Sequence, residues 1–155
     1  MMTTAPSRRT LLIAGVSAVA TAACARPAKA SPVLEVHRSP SCGCCGAWIS
    51  HMREAGFETR VVATDDPGVI RRAGGLPDTL AACHTALIGG YVIEGHVPAA
   101  DVRRLLAERP AAAGLAVPAM PMGSPGMETP DGRVEPYDTL LVLRSGGTRV
   151  FARHG

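Results

Sequence analysis

Three of the chain's five cysteines stand within four positions, in the stretch Ser41-Cys42-Gly43-Cys44-Cys45-Gly46. Cys42 and Cys45 make a C-x-x-C pair. Such a pair at the start of a helix sets its first thiol against unpaired backbone N–H groups and the positive end of the helix dipole. Both favour the thiolate, the form that attacks disulfides and binds metals. Cys44 complicates a plain dithiol. A third sulfur competes for the disulfide, a vicinal Cys44–Cys45 bridge is strained, and three thiolates on one turn repel unless a cation sits among them. Soft thiolate and thioether ligands select Cu(I). A single Cu(I) needs two or three sulfurs, and several ions can share bridging thiolates.

Other residues have matching chemistry. Cys83 and His84 adjoin before a predicted strand, and His96 follows the next strand in "EGHVP". Met120, Met122 and Met127 lie in "MPMGSPGM", a Pro/Gly segment that packs methionines poorly. Thioethers bind Cu(I) without losing a proton, so this segment reads as an arm by which Met120 and Met122 exchange Cu(I) with another periplasmic copper protein. Cys83 or His84 is expected to reach the Cys42–Cys45 turn and close the site.

Rival readings stay open on these residues. Two structural disulfides, for example Cys42–Cys45 and Cys44–Cys83, use the same four cysteines. Zinc fits a tetrahedral set of Cys42, Cys45, Cys83 and His84, but leaves Cys44 and the methionines without roles. An iron–sulfur cluster wants four well-separated cysteines. A metal-free thiol–disulfide oxidoreductase needs only Cys42 and Cys45, which are also the catalytic candidates if copper is cycled. The methionines also serve as adaptable apolar filler. Trp48 reads as a packing residue, and Asp65 and Asp66 as a helix cap. His37, His51 and His154 carry no assignment.

The rest of the chain bounds these chemistries. Its 155 residues allow one domain and a leader. Aromatics are 3%, so the core is built from Ala, Val, Leu and Ile. The net charge of +3, without basic clusters or aromatic platforms, gives no support for nucleic-acid binding. Residues 1–30 read as an export leader: Arg8-Arg9, an apolar run over 11–23, and Ala28-Lys29-Ala30 at the cleavage site. Ser7-Arg8-Arg9 is compatible with twin-arginine export, and a general secretory signal fits as well. Cys24 leaves with the leader, and the membrane becomes a partner only if Cys24 is lipidated. The domain then spans 31–155, periplasmic and in an oxidising compartment.

The elements that position these residues follow from patterning. Strands are expected at 33–37 and 57–63, a helix from Cys44 or Cys45 to Glu54, and a short helix from Asp65-Asp66-Pro67 to about Arg72. One helical turn is expected around Leu80, a hairpin over 85–95 about Gly89-Gly90, and an amphipathic helix over 98–109. Residues 110–136 read as irregular and carry the methionines; a second hairpin over 137–154 turns at Gly146-Gly147. Strand, helix, strand, helix, hairpin and helix give an α/β, thioredoxin-like mixed sheet with flanking helices and an added C-terminal hairpin. The cysteine cluster falls between the first strand and first helix, where that fold keeps reactive thiols. The loop entering the third strand, which faces those thiols, is "AACHTAL" and holds no proline.

The chain resembles a bacterial family of exported, thioredoxin-like metal-binding proteins found with copper-resistance systems, the CopG type. The match is carried by "SPSCGCCGAW" (39–48), "CHTALIGGYVIEGHVPAADVRRLLAERP" (83–110) and "GLAVPAMPMGSPGME" (114–128). The resemblance implies a periplasmic domain that binds copper through Cys42, Cys44, Cys45 and Cys83, with His84, His96 and the Met loop beside them. It also implies copper cycling between oxidation states or electron exchange through the thiols.

Overall fold

The computed structural model describes residues 1, 2 and 32–155. The expected leader over 1–30 and the question of Cys24 therefore lie outside the described residues. The chain forms β1 (Leu34–Arg38), α1 (Gly43–Glu54), β2 (Thr59–Ala63), α2 (Gly68–Ala73), a 3-10 turn (Asp78–Leu80), β3 (His84–Ile88), β4 (Tyr91–Gly95), α3 (Ala99–Glu108), β5 (Ala112–Val117), β6 (Tyr137–Leu143) and β7 (Thr148–His154). All seven strands join one mixed sheet in the order β2-β1-β3-β4-β5-β6-β7. The β1–β2 and β4–β5 pairs are parallel and the others antiparallel.

The expected starts and stops are visible in the chemistry of the ends. Asp66 Oδ1 accepts from the Gly68 amide at 2.9 Å, so the acidic cap of α2 is in place. The β3–β4 hairpin turns through Gly89 and Gly90 at φ +58° and +86°, a left-handed backbone that glycine adopts without steric cost. Helix α1 buries Cys45, Trp48, Ile49 and Met52, at helical spacing, and α3 buries Val102 and Leu105. Both helices join the larger core with Leu34, Val36, Ala86, Ile93, Leu115 and Leu141. A smaller core of Leu76, Leu80, Val92, Ala113, Ala116 and Val142 packs separately. Among the described residues no helix is long and apolar enough to cross a membrane.

One element departs from expectation. Residues 112–117, read as the start of an irregular segment, form β5, a central strand with all six residues buried. Its sequence, Ala-Ala-Gly-Leu-Ala-Val, has a single β-branched residue, so strand propensity is nearly silent there. Small residues are required by packing instead. A Cβ placed at Gly114 would lie 1.8 Å from the carbonyl oxygen of Val92. The remainder, 118–136, contains neither helix nor strand.

Candidate metal centre

The site is assembled by four separate stretches. The turn between β1 and α1 brings Cys42, Cys44 and Cys45. Arg38, at the end of β1, holds that turn by donating from Nη1 to the carbonyls of Ser39 at 3.2 Å and Cys42 at 2.8 Å. The entry to β3 brings Cys83 and His84, the exit of β4 brings His96, and the loop after β5 brings Met120.

Cys42 and Cys45 are joined as a disulfide. In this form they are not the thiolate pair expected from the sequence; among the described residues Cys44 and Cys83 are the free thiols. The two-disulfide reading is met at one bridge, while the second pair stays unbonded with its sulfurs 3.7 Å apart. Cys44 Sγ is central: it also lies 3.6 Å from Cys42 Sγ and 3.8 Å from Met120 Sδ. Cys83 Sγ faces two imidazoles, with His84 Nδ1 at 3.3 Å and His96 Nε2 at 3.1 Å. Cys83 thus belongs to two overlapping donor groups, Cys42–Cys44–Cys45–Cys83 and Cys83–His84–His96, each with its donor atoms within 4.8 Å of one another.

The surroundings set the protonation of these donors. Burial, with Cys44 beside it, pushes the Cys83 thiol up to about 12. His84 is fully buried with its ring 4.3 Å from that of Trp48. Burial first, and the neighbouring His96 second, push it down to about 3, so it is a neutral imidazole at physiological pH. Its Nε2 is buried without a hydrogen-bond partner. His96 is also held below its ordinary value by burial. Its Nδ1–H donates to the Pro125 carbonyl at 2.8 Å, which leaves the Nε2 lone pair turned toward Cys83. Neutral imidazole nitrogens, thiol sulfurs and a thioether together form a donor set able to hold a soft or borderline metal ion.

The Met loop is docked on the site rather than free as an arm. A Cβ at Gly126, whose φ is +86°, would lie 2.6 Å from the Trp48 amide nitrogen and 3.1 Å from the Cys44 carbonyl oxygen. Ser124 is fully buried and donates to the Pro121 carbonyl at 2.7 Å. Met120 thereby reaches the cluster. Met122 is held differently, its amide donating to Glu135 Oε2 and its carbonyl accepting from the Glu135 amide. Met127 bonds Gly123 and Ser124 through its backbone, closing the loop on itself.

A buried carboxylate with no ligand-like motif around it also bears on the site. Glu94 is fully buried on β4. It accepts from the Ala82 amide at 2.7 Å and the Thr85 hydroxyl at 2.7 Å, one on each side of the Cys83-His84 pair. Arg71 lies 3.4 Å from its Oε1 and links it to Asp78. Burial raises the Glu94 carboxyl even so. The only hint in the sequence is a charge inside the apolar run "YVIEG". The unassigned histidines have structural partners. His37 bonds Glu35, His51 accepts from the Ala99 amide at the start of α3, and His154 bonds Asp101. Trp48 packs in the core and donates to the Val97 carbonyl, as its helical position suggested.

Fold and site together define a small mixed α/β protein with a cysteine–histidine cluster able to hold a metal ion. Comparison with solved structures narrows this. A structure named "Copper resistance protein copG- Form 2" is 41% identical, covering 81% of this chain and 99% of its own, with a TM-score of 0.76. Another, "Copper resistance protein copG- Form 1", is 42% identical, covering 79% of this chain and 98% of its own, with a TM-score of 0.74. The chain belongs to the CopG copper resistance protein family. A family model described as "Protein of unknown function, DUF411" matches residues 80–127, the span from the Cys83 loop to Met127. No curated protein matches.

Proposed function

We propose that this chain is a periplasmic copper-binding protein of copper handling and resistance, holding Cu(I) through Cys42, Cys44, Cys45 and Cys83. The carrying observation is the position of Cys44 Sγ, within 3.6–3.8 Å of three other sulfurs from three parts of the fold. A simple dithiol protein has no use for that convergence. The names of the similar structures support copper as the ion, and the soft donor set supports Cu(I) over harder ions. The leader-like residues 1–30 support export, with residues 31–155 as the mature domain. The order β2-β1-β3-β4, with α1 between the parallel strands β1 and β2, supports a thioredoxin-like plan to which β5–β7 are added.

The geometry supports the following residue roles. Cys42 and Cys45 bind once reduced. Cys44 bridges toward Cys83, and His84 and His96 bring neutral nitrogens to the far side. Met120 offers a thioether at the edge, where it is 43% exposed and open to a partner protein. Met122, on the same loop, would exchange Cu(I) with that partner.

The test is anaerobic, reducing purification with added Cu(I), then counting of copper and thiols. Wild type holds at least one tightly bound copper, and Cys44→Ser holds less. Normal loading of Cys44→Ser overturns the role given to Cys44. The Cys42–Cys45 disulfide favours a second reading, a metal-free thiol–disulfide oxidoreductase. That reading requires the copper-free protein to reduce a model disulfide over many turnovers.

A further inference from the structure

The four sulfurs form a chain of neighbours. Cys45 is bonded to Cys42, Cys42 touches Cys44 at 3.6 Å, and Cys44 touches Cys83 at 3.7 Å. Thiol–disulfide exchange proceeds by attack of a thiolate on a neighbouring disulfide sulfur. A third thiol against one sulfur of a disulfide, with a fourth against the third, is the arrangement that lets a disulfide move.

We propose that Cys44 is a relay thiol that transfers the disulfide from Cys42–Cys45 to Cys44–Cys83. In the first step Cys44 attacks Cys42 Sγ. The Cys42–Cys44 bond forms, the Cys42–Cys45 bond breaks, and Cys45 leaves with the electron pair and takes up one proton in place of the one Cys44 lost. In the second step Cys83 attacks Cys44 Sγ. The Cys44–Cys83 bond forms, the Cys42–Cys44 bond breaks, and Cys42 regains a thiol proton in place of the one Cys83 lost. Two thiols and one disulfide stand on each side, so no external oxidant or reductant enters.

The two isomers differ in what they offer. With Cys42–Cys45 closed, the free sulfurs are Cys44 and Cys83, next to the imidazoles and Met120. With Cys44–Cys83 closed, the free sulfurs are Cys42 and the fully buried Cys45, on the helix side. One oxidation level of the protein therefore presents two different sulfur pairs. This inference needs no copper and stands or falls separately from the metal reading.

Tryptic peptides report the transfer directly. Cleavage after arginine puts Cys42, Cys44 and Cys45 on residues 39–53 and Cys83 on residues 73–103; Cys24 falls on neither. The full chain, metal-free, is poised in a thiol–disulfide buffer until half of the four thiols are oxidised. It is then acid-quenched, alkylated, and its monomeric fraction digested and weighed. A Cys42–Cys45 bridge leaves the two peptides separate, and a bond from Cys83 to Cys42, Cys44 or Cys45 joins them. The joined species is expected in about a tenth or more of half-oxidised molecules, as for two couples within about 30 mV of each other. It becomes the major species in Cys45→Ser and falls at least about tenfold in Cys44→Ser. Its absence from wild type, or undiminished abundance in Cys44→Ser, overturns the relay. Wild type alone gives the primary result, so a variant that folds poorly does not leave the question open.

Discussion

Cys83 sets the pH behaviour of the site. Its thiol is pushed up to about 12, so it rests protonated across the physiological range and gives up that proton only as it binds a metal or attacks a neighbouring sulfur. Raising the pH removes the competitor. Cu(I) affinity is therefore expected to strengthen from about pH 6 to about pH 8, by roughly tenfold per unit for each proton released. Competition with a Cu(I) chelator across that range checks it, and the slope falls in Cys83→Ser. His84, neutral above about 3, adds nothing to the slope. Glu94 acts through position. Glu94→Gln keeps one carbonyl oxygen to accept from Ala82 but sets an NH2 donor against the Thr85 hydroxyl and removes the charge beside the buried Arg71 guanidinium. A loss of about 1–3 kcal/mol is expected in urea unfolding. The sulfur cluster was legible because cysteine type and spacing carry its chemistry without reference to the fold. Glu94 was not, because a lone glutamate in a strand looks like a solvent-facing residue until both sheet faces are known to be covered.

The element that most shapes the site is the 118–136 loop. Its contact with α1 passes through Gly126, where a side chain meets backbone, not a flexible tip. Gly126→Ala is expected to cost about 1–3 kcal/mol, from overpacking and from its positive φ. Lifting the loop also breaks the Pro125 carbonyl contact that fixes the His96 tautomer, so copper affinity falls along with the melting temperature. Calorimetry and Cu(I) competition on the same sample read both. The helices and hairpins were legible from their caps, glycine pairs and periodicity. Two features of this region were not. β5 has no strand composition, and the docking of the Met loop rests on a glycine whose partner lies about eighty residues earlier in the chain, at Trp48. Such contacts are long-range packing, which local pattern does not encode.

At the scale of the whole molecule, the C-terminal hairpin pairs with β5 through β6 and is also tied to the first turn of α3 by a small polar cluster. Asp101 Oδ2 accepts from the Thr139 hydroxyl at 2.7 Å and from His154 Nε2 at 2.9 Å, and Tyr137 stacks on the His154 ring. None of these residues belongs to the sulfur cluster. His154→Ala is expected to lower unfolding stability by about 1 kcal/mol while copper stoichiometry stays at the wild-type value. A matching loss of copper would tie the hairpin to the metal site. Gly114 has a wider reach. β4 and β5 are neighbours in a single sheet only because nothing projects from that α-carbon toward Val92. Four strands stand on one side of this seam and three on the other. An alanine there would act as a wedge, prying the sheet into two blocks and carrying Met120 away from the cysteines it overhangs, so one missing methyl group keeps the halves of this molecule in a common frame.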